Sequence, residues 1–151
     1  MSTATATLAS TTFLTKVGLD DTVVYPVSLS GITPGICLYV DLELMVVERL
    51  TGIASGVLVR RGIEGTQTRR HAINVAVYIG RGDQFYVTDP SGVPSAESVV
   101  SPHINILTGA VWVMTGDDVG PGRDARIWQR VTTAPVAGAL GVRNIVTTTP
   151  T

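Results

Sequence analysis

The stretch Gly35-Ile36-Cys37-Leu38-Tyr39-Val40-Asp41-Leu42-Glu43-Leu44-Met45-Val46-Val47 decides the fold class. Within it Leu42, Leu44 and Val46 alternate with Glu43, Met45 and Val47. That is the period of two of a strand, not the 3.6 of a helix. Its branched and aromatic side chains suit a pleated, half-buried surface. The preceding Thr33-Pro34-Gly35 fits a type II turn, in which proline presets φ and glycine supplies a positive φ.

Outward from this stretch the same grammar repeats. With 16 glycines and 8 prolines, turns punctuate the chain at Ser55-Gly56, Gly80-Arg81-Gly82-Asp83, Asp89-Pro90-Ser91-Gly92 and Gly116-Asp117-Asp118. Gly120-Pro121-Gly122 makes a further break. The runs between them predict strands over 22–29, 36–40, 42–50, 56–60, 75–79, 84–88, 110–115 and 127–133. No segment carries a helical apolar stripe over ten residues, leaving room only for short helices at 95–100 and 66–71. The expected architecture is all-β, a small barrel or sandwich with extended N- and C-terminal arms. The chain divides into an N-terminal arm (1–16), a single β domain (17–133) and a C-terminal arm (134–151). Both arms are rich in Thr and Ala. Extended segments of this kind suit strand addition to a neighbouring subunit. Deletion of residues 2–12 is then expected to leave the domain folded and abolish its binding to the larger particle it joins.

Charge excludes one class of function. With 11 Lys+Arg against 12 Asp+Glu in 151 residues the net charge is −1. A generic polyanion binder needs a surplus of cations. Charged residues are 15% of the chain, against about 25% in ordinary globular domains, which points to surface covered by partners. The single cysteine, Cys37, lies between Ile36 and Leu38 and reads as a buried, inert thiol. No apolar run approaches the length of a membrane helix. The first ten residues have no signal-peptide pattern, so a cytoplasm-like setting is expected.

The densest local signal is the run from Val57 to Val77, containing Arg60-Arg61-Gly62-Ile63-Glu64-Gly65-Thr66 and Arg69-Arg70-His71. A strand ends at Arg61, Gly62 and Gly65 bracket a reversal, and Thr66 can cap the turn through its hydroxyl. His71 then leads into the next strand, bonding turn carbonyls, while Arg61 pairs with Glu43 or Asp41 on the adjacent strand. A catalytic or metal grouping of His71 with Asp41 and Glu43 is the disfavoured reading, since no second histidine has ligand spacing.

This run, strand then Arg-Gly-x-x-Gly-Thr-x4-His then strand, resembles a pattern of tailed-bacteriophage virion structural proteins. The upstream strand leading into Asp41-x-Glu43-x-Met45 resembles its companion pattern. The resemblance covers roughly residues 31–78. One position departs: where the pattern has glycine after the histidine, this chain has Asn74, a residue that tolerates left-handed φ. The resemblance implies a non-enzymatic particle protein located in the virion and assembled in the host cytoplasm. Its partners would be the major capsid protein or other virion proteins and further copies of itself in a symmetric homo-oligomer, with no cofactor, no membrane and no direct nucleic-acid binding. Within that class the reading is a capsid decoration (cement) protein. A tail, baseplate or head-fibre component, or a host-surface glycan-binding module, stands as the alternative.

Ten of the eleven basic residues are arginine. Arg60, Arg61, Arg69 and Arg70 form the one basic cluster and read as interface residues, because guanidinium suits desolvated pairing. Trp112 and Trp128, on two strands joined by the 116–124 loop, read as core or interface rings, with a carbohydrate platform as the weaker alternative. Arg81-Gly82-Asp83 reads as an ordinary turn. Asp117, Asp118 and Asp124 lack calcium-loop spacing. His103 has no partner at metal-ligand spacing, and no Gly-x-Ser-x-Gly elbow marks a nucleophile.

Overall fold

A computed structural model describes residues 8–95, 102–116 and 125–131, together with the backbone of 4–5 and 146–147. Twelve strands result: β1 Ala4–Thr5, β2 Ala9–Thr12, β3 Val23–Val24, β4 Cys37–Val40, β5 Glu43–Leu50, β6 Val57–Arg60, β7 Ala76–Gly80, β8 Phe85–Tyr86, β9 His103–Asn105, β10 Val111–Thr115, β11 Ile127–Arg130 and β12 Val146–Thr147. Among the described residues the only helical element is a 3₁₀ turn, Gly82–Gln84. The protein is all-β.

Six strands form one antiparallel sheet in the order β2-β7-β4-β5-β6-β3. The sheet curls into a half-barrel. Its two edges are drawn together beyond β2 and β3: Phe13 bridges Pro26, the Leu14 N–H donates to the Tyr25 carbonyl at 2.7 Å, and the Val27 N–H donates to the Thr12 carbonyl at 2.9 Å. The concave side holds Val24, Leu38, Val40, Met45, Val47, Val57, Val59, Val77 and Ile79, all buried and joined by Phe13 and Val17. These are every second residue of each strand, the arrangement that pleating imposes on a barrel interior.

The convex side of the central strands is buried too. Cys37, Tyr39, Leu44 and Tyr78 pack against Phe85, Ile104, Ile106, Val111 and Val113. The latter belong largely to a second, four-stranded sheet in the order β11-β10-β9-β8, with β8 and β9 parallel. The Tyr39 hydroxyl donates to the Ile106 carbonyl at 2.6 Å and ties the layers. Burial on both faces explains why β4 and β5 read as continuous apolar runs.

The predicted strands over 36–40, 42–50, 56–60, 75–79 and 110–115 lie where expected, each beginning one residue later, with β7 also ending one residue later. Three others shorten. The 22–29 run keeps only β3, because residues 25–27 cross to the opposite edge. The 84–88 run keeps β8, after the 3₁₀ turn, and the 127–133 run keeps β11, with 132–133 outside the described residues. The helix expected at 66–71 does not form: Thr66 and Arg69 bond across to β5 instead of along a helix. The helix read at 95–100 lies outside the described residues apart from Ser95, as do Asp117, Asp118, Asp124 and the 120–122 break.

The N-terminal boundary needs correcting. Residues 9–12, read as arm, are a strand of the main sheet, with Ala9 opposite Ile79 and Thr12 opposite Ala76. Leu8 and Phe13 are core. The folded unit therefore begins by Leu8. At the extremes, β1 pairs antiparallel with β12 within the same chain; most of 134–151 lies outside the described residues.

Two backbone devices position the site. The β4–β5 hairpin closes through Asp41 and Leu42, whose φ values of 47° and 63° match a type I′ turn, normally the province of Asn-Gly. Asn74 has φ 67°, in the left-handed region that favours glycine.

Candidate functional site

Continuing the alternation of β5 and β6 one step places Glu43 and Arg61 on the concave side, at one end of the half-barrel. Both are ionised groups where the strands otherwise bury Met45, Val47, Val57 and Val59. Burying a charge is tolerable only with full pairing, and the pairing here is complete. The Arg61 Nε donates to Glu43 Oε2 at 2.7 Å and its Nη2 to Oε1 at 3.0 Å. Its remaining donors reach the carbonyls of Gly18 at 2.8 Å, Asp21 at 2.7 Å and Arg69 at 2.7 Å. All five guanidinium N–H groups are thus satisfied.

Glu43 is equally committed. Besides the fork it accepts from the Gly62 N–H at 3.1 Å, the Arg69 N–H at 2.9 Å and His71 Nε2 at 2.8 Å. His71 Nδ1 faces Asp41 Oδ2 at 3.2 Å. A ring with a carboxylate at each nitrogen donates to both only as imidazolium. Burial works against ionised Glu43, but hydrogen bonds from His71, Arg61 and the Arg69 backbone, with the Arg61 charge, outweigh it and hold its pKa at about 2. Burial likewise works against charged His71, and its bonds to Asp41 and Glu43 outweigh that and raise its pKa. With His71 protonated, its charge and that of Arg61 balance the two carboxylates that face them.

The network pins residues 61–71 over the barrel end. The Leu44 N–H donates to Thr66 Oγ1 at 3.0 Å, and the Thr66 hydroxyl donates to the Ile63 carbonyl at 2.7 Å. Val17 and His71 exchange backbone hydrogen bonds at 2.8 and 2.9 Å. A Cβ on Gly62 would stand 2.7 Å from Thr68 Oγ1, at φ 57°. Gly62, Gly65, Thr66 and His71 lie along this turn, and the His71 ring bonds carboxylates where turn carbonyls were expected.

The arginine cluster does not act as one patch. Arg61, with 7% of its side chain exposed, is consumed inside its own chain and is removed from the interface set. Arg60 is exposed and meets Glu48 at 3.5 Å; Arg69 and Arg70 are also exposed.

A second constellation lies on the face of the four-stranded sheet turned away from the barrel. Register puts Trp112 opposite both His103 and Arg130, and Trp128 opposite Met114. Tyr86 stacks on the His103 ring with centroids 3.8 Å apart and 10° between planes, and Trp128 meets His103 edge-on at 5.6 Å. Asp89 Oδ1 accepts from Trp112 Nε1 at 3.2 Å and Asn105 Nδ2 at 3.0 Å. His103 Nε2 sits 2.8 Å from the Thr88 carbonyl; burial lowers the His103 pKa despite that bond. Trp112 and Trp128 are half-buried and outside both core clusters. Asp89, Asn105 and Tyr86 were not legible as members, because a parallel β8–β9 pairing brings them there.

Among the described residues no group of three or more His, Cys, Asp or Glu is arranged to hold a metal ion, and no helix is long and apolar enough to cross a membrane. Comparison of the chain with family models, with curated proteins and with solved structures finds no match.

Proposed function

We propose that this chain is a non-enzymatic structural protein of a tailed-phage particle, and within the particle a decoration protein that braces the shell. One observation carries the reading. The residues that bear the resemblance, Asp41, Glu43, Arg61, Gly62, Thr66 and His71, are spent on one another and on backbone groups. A catalytic histidine needs a nitrogen free for a substrate proton; His71 has both engaged. A motif used to lock a loop over a barrel end suits a protein whose work is to hold shape under load. Exposed Arg60, Arg69 and Arg70 supply charged contacts to the major capsid protein or to further copies of the chain.

The test is the composition of particles assembled from the genome that encodes the chain. Purified particles should contain it at a fixed ratio to the major capsid protein, and a reconstruction should place it over joints of the shell. Copies confined to the tail axis would select the tail or baseplate reading. Absence from the particles would remove the proposal.

A further inference from the structure

The outward face of the four-stranded sheet breaks the usual rule that the solvent side of an antiparallel sheet is polar. It carries four half-buried rings, Tyr86, His103, Trp112 and Trp128, beside exposed Asp89 and Arg130 and above buried Asn105 and Met114. We infer that this face is a binding site for a neutral oligosaccharide, with Trp112 and Trp128 as the ring platform and Asp89 as the hydroxyl acceptor. The inference is independent of the virion reading.

Three features lead to a saccharide. Three of the four rings are preset by hydrogen bonds, Trp112 by Asp89, His103 by Thr88, and Tyr86 through its hydroxyl to the Asp83 carbonyl at 2.6 Å, while Trp128 meets His103 edge-on. Presetting lowers the ordering cost of binding. A pyranose offers an apolar C–H face and an edge of hydroxyls; aromatic faces with a carboxylate and an amide at their margin match both. The size also fits. Three interstrand spacings of about 4.8 Å and five residues at about 3.4 Å each frame about 240 Å². That is well below the roughly 800 Å² per partner of a stable protein interface, so a second copy would be poorly held. Among the described residues Asp89 is offset by Arg130 opposite Trp112, so the face carries no positive surplus, whereas nucleic-acid stacking platforms sit in positive grooves.

The experiment titrates the full chain with N-acetylchitotriose, maltotriose and cellotriose, following tryptophan fluorescence, with octathymidylate as the anionic control. The expected result is a saturable change with at least one trisaccharide. It should be lost in Trp128→Ala, retained in Trp128→Tyr, and weakened about tenfold in Asp89→Asn, with unchanged thermal midpoints. Should Trp128→Ala fail to fold, Tyr86→Leu, which removes the stack on His103, replaces it. No saturable change with any trisaccharide overturns the inference. So does a change that persists without the ring, one given by octathymidylate alone, or a fluorescence signal that tracks self-association of the chain.

Discussion

Arg61 grips Glu43 with a two-pronged fork, 2.7 and 3.0 Å, at a position where both are removed from water. Glu43 opens β5, and Arg61, 18 residues on, directly follows the neighbouring β6. Together with His71 they convert what reads as two separate motifs into one clamp. A clamp of this kind is neutral as a whole and costly to halve.

Halving it should therefore be measurable. Arg61→Met leaves the Glu43 charge without its fork and is expected to cost about 3–5 kcal/mol in urea unfolding. Arg61→Lys keeps the charge but cannot reproduce the five-donor geometry and should fall between. The double variant Glu43→Leu with Arg61→Met should recover much of the loss. A double variant as unstable as the sum of the single ones would show that the pair is not the unit.

The cluster also sets a pH profile. The Glu43 pKa is lowered on folding, to about 2, so its contribution is present above 4.5 and is lost as pH falls towards that value. The His71 pKa is raised, so its contribution is complete below 6.5 and is lost as pH rises through the folded value. Asp41, Glu43 and Arg61 are the charged groups facing the ring. Urea midpoints should form a plateau between pH 4.5 and 6.5 and decline on either side. His71→Gln should flatten the alkaline limb. Stability that climbs steadily above pH 6.5 would falsify the assignment.

Asn74 offers a backbone test. Its left-handed φ and exposed side chain mean that Asn74→Gly should alter stability by less than about 1 kcal/mol, strain relief offsetting unfolded-state entropy. Asn74→Val should destabilise by about 1–2 kcal/mol. Equal effects of the two would show that the φ does not matter.

Truncation distinguishes an arm from a strand. Removing residues 1–12 strips β2 from β7 and takes Leu8 out of the outer core. The exposed β7 edge invites aggregation. The truncated chain should be less soluble and melt lower than the full chain. A monomeric product with an unchanged melting midpoint would return residues 1–12 to the status of a free arm.

Cys37 is buried, and burial, followed by the Glu64 charge, raises its thiol pKa. Reaction with a disulfide reagent should be slow in the native chain and rapid in urea. Fast native labelling would place the thiol at the surface.

Much of the fold was legible because strand content is written locally. Val-rich runs, a period of two and Pro-Gly turns specify β4, β5, β6, β7 and β10 to within one residue at each end. Asn74 could be matched to a glycine position for a similar reason, since backbone tolerance belongs to the residue itself. The hairpin at Asp41-Leu42 was harder, as its residues are not those a type I′ turn usually selects. Strand β2, made of Ala, Ser and Thr, has no apolar signature, and only pairing with β7 makes it a strand.

The sites divide along the same line. Residue order alone carried the all-β class, the reversal at Gly62 to Thr66 and a pairing of Arg61 with Glu43 or Asp41, because these depend on alternation and short-range turn chemistry; the fold selected Glu43. Which face each ring occupies, that His71 lies between two carboxylates, and that Tyr86, Asp89 and His103 join Trp112 depend on how distant strands register. Register is settled by burial on both faces of the curled sheet and by the parallel β8–β9 contact, energies that exist only once the chain has closed on itself.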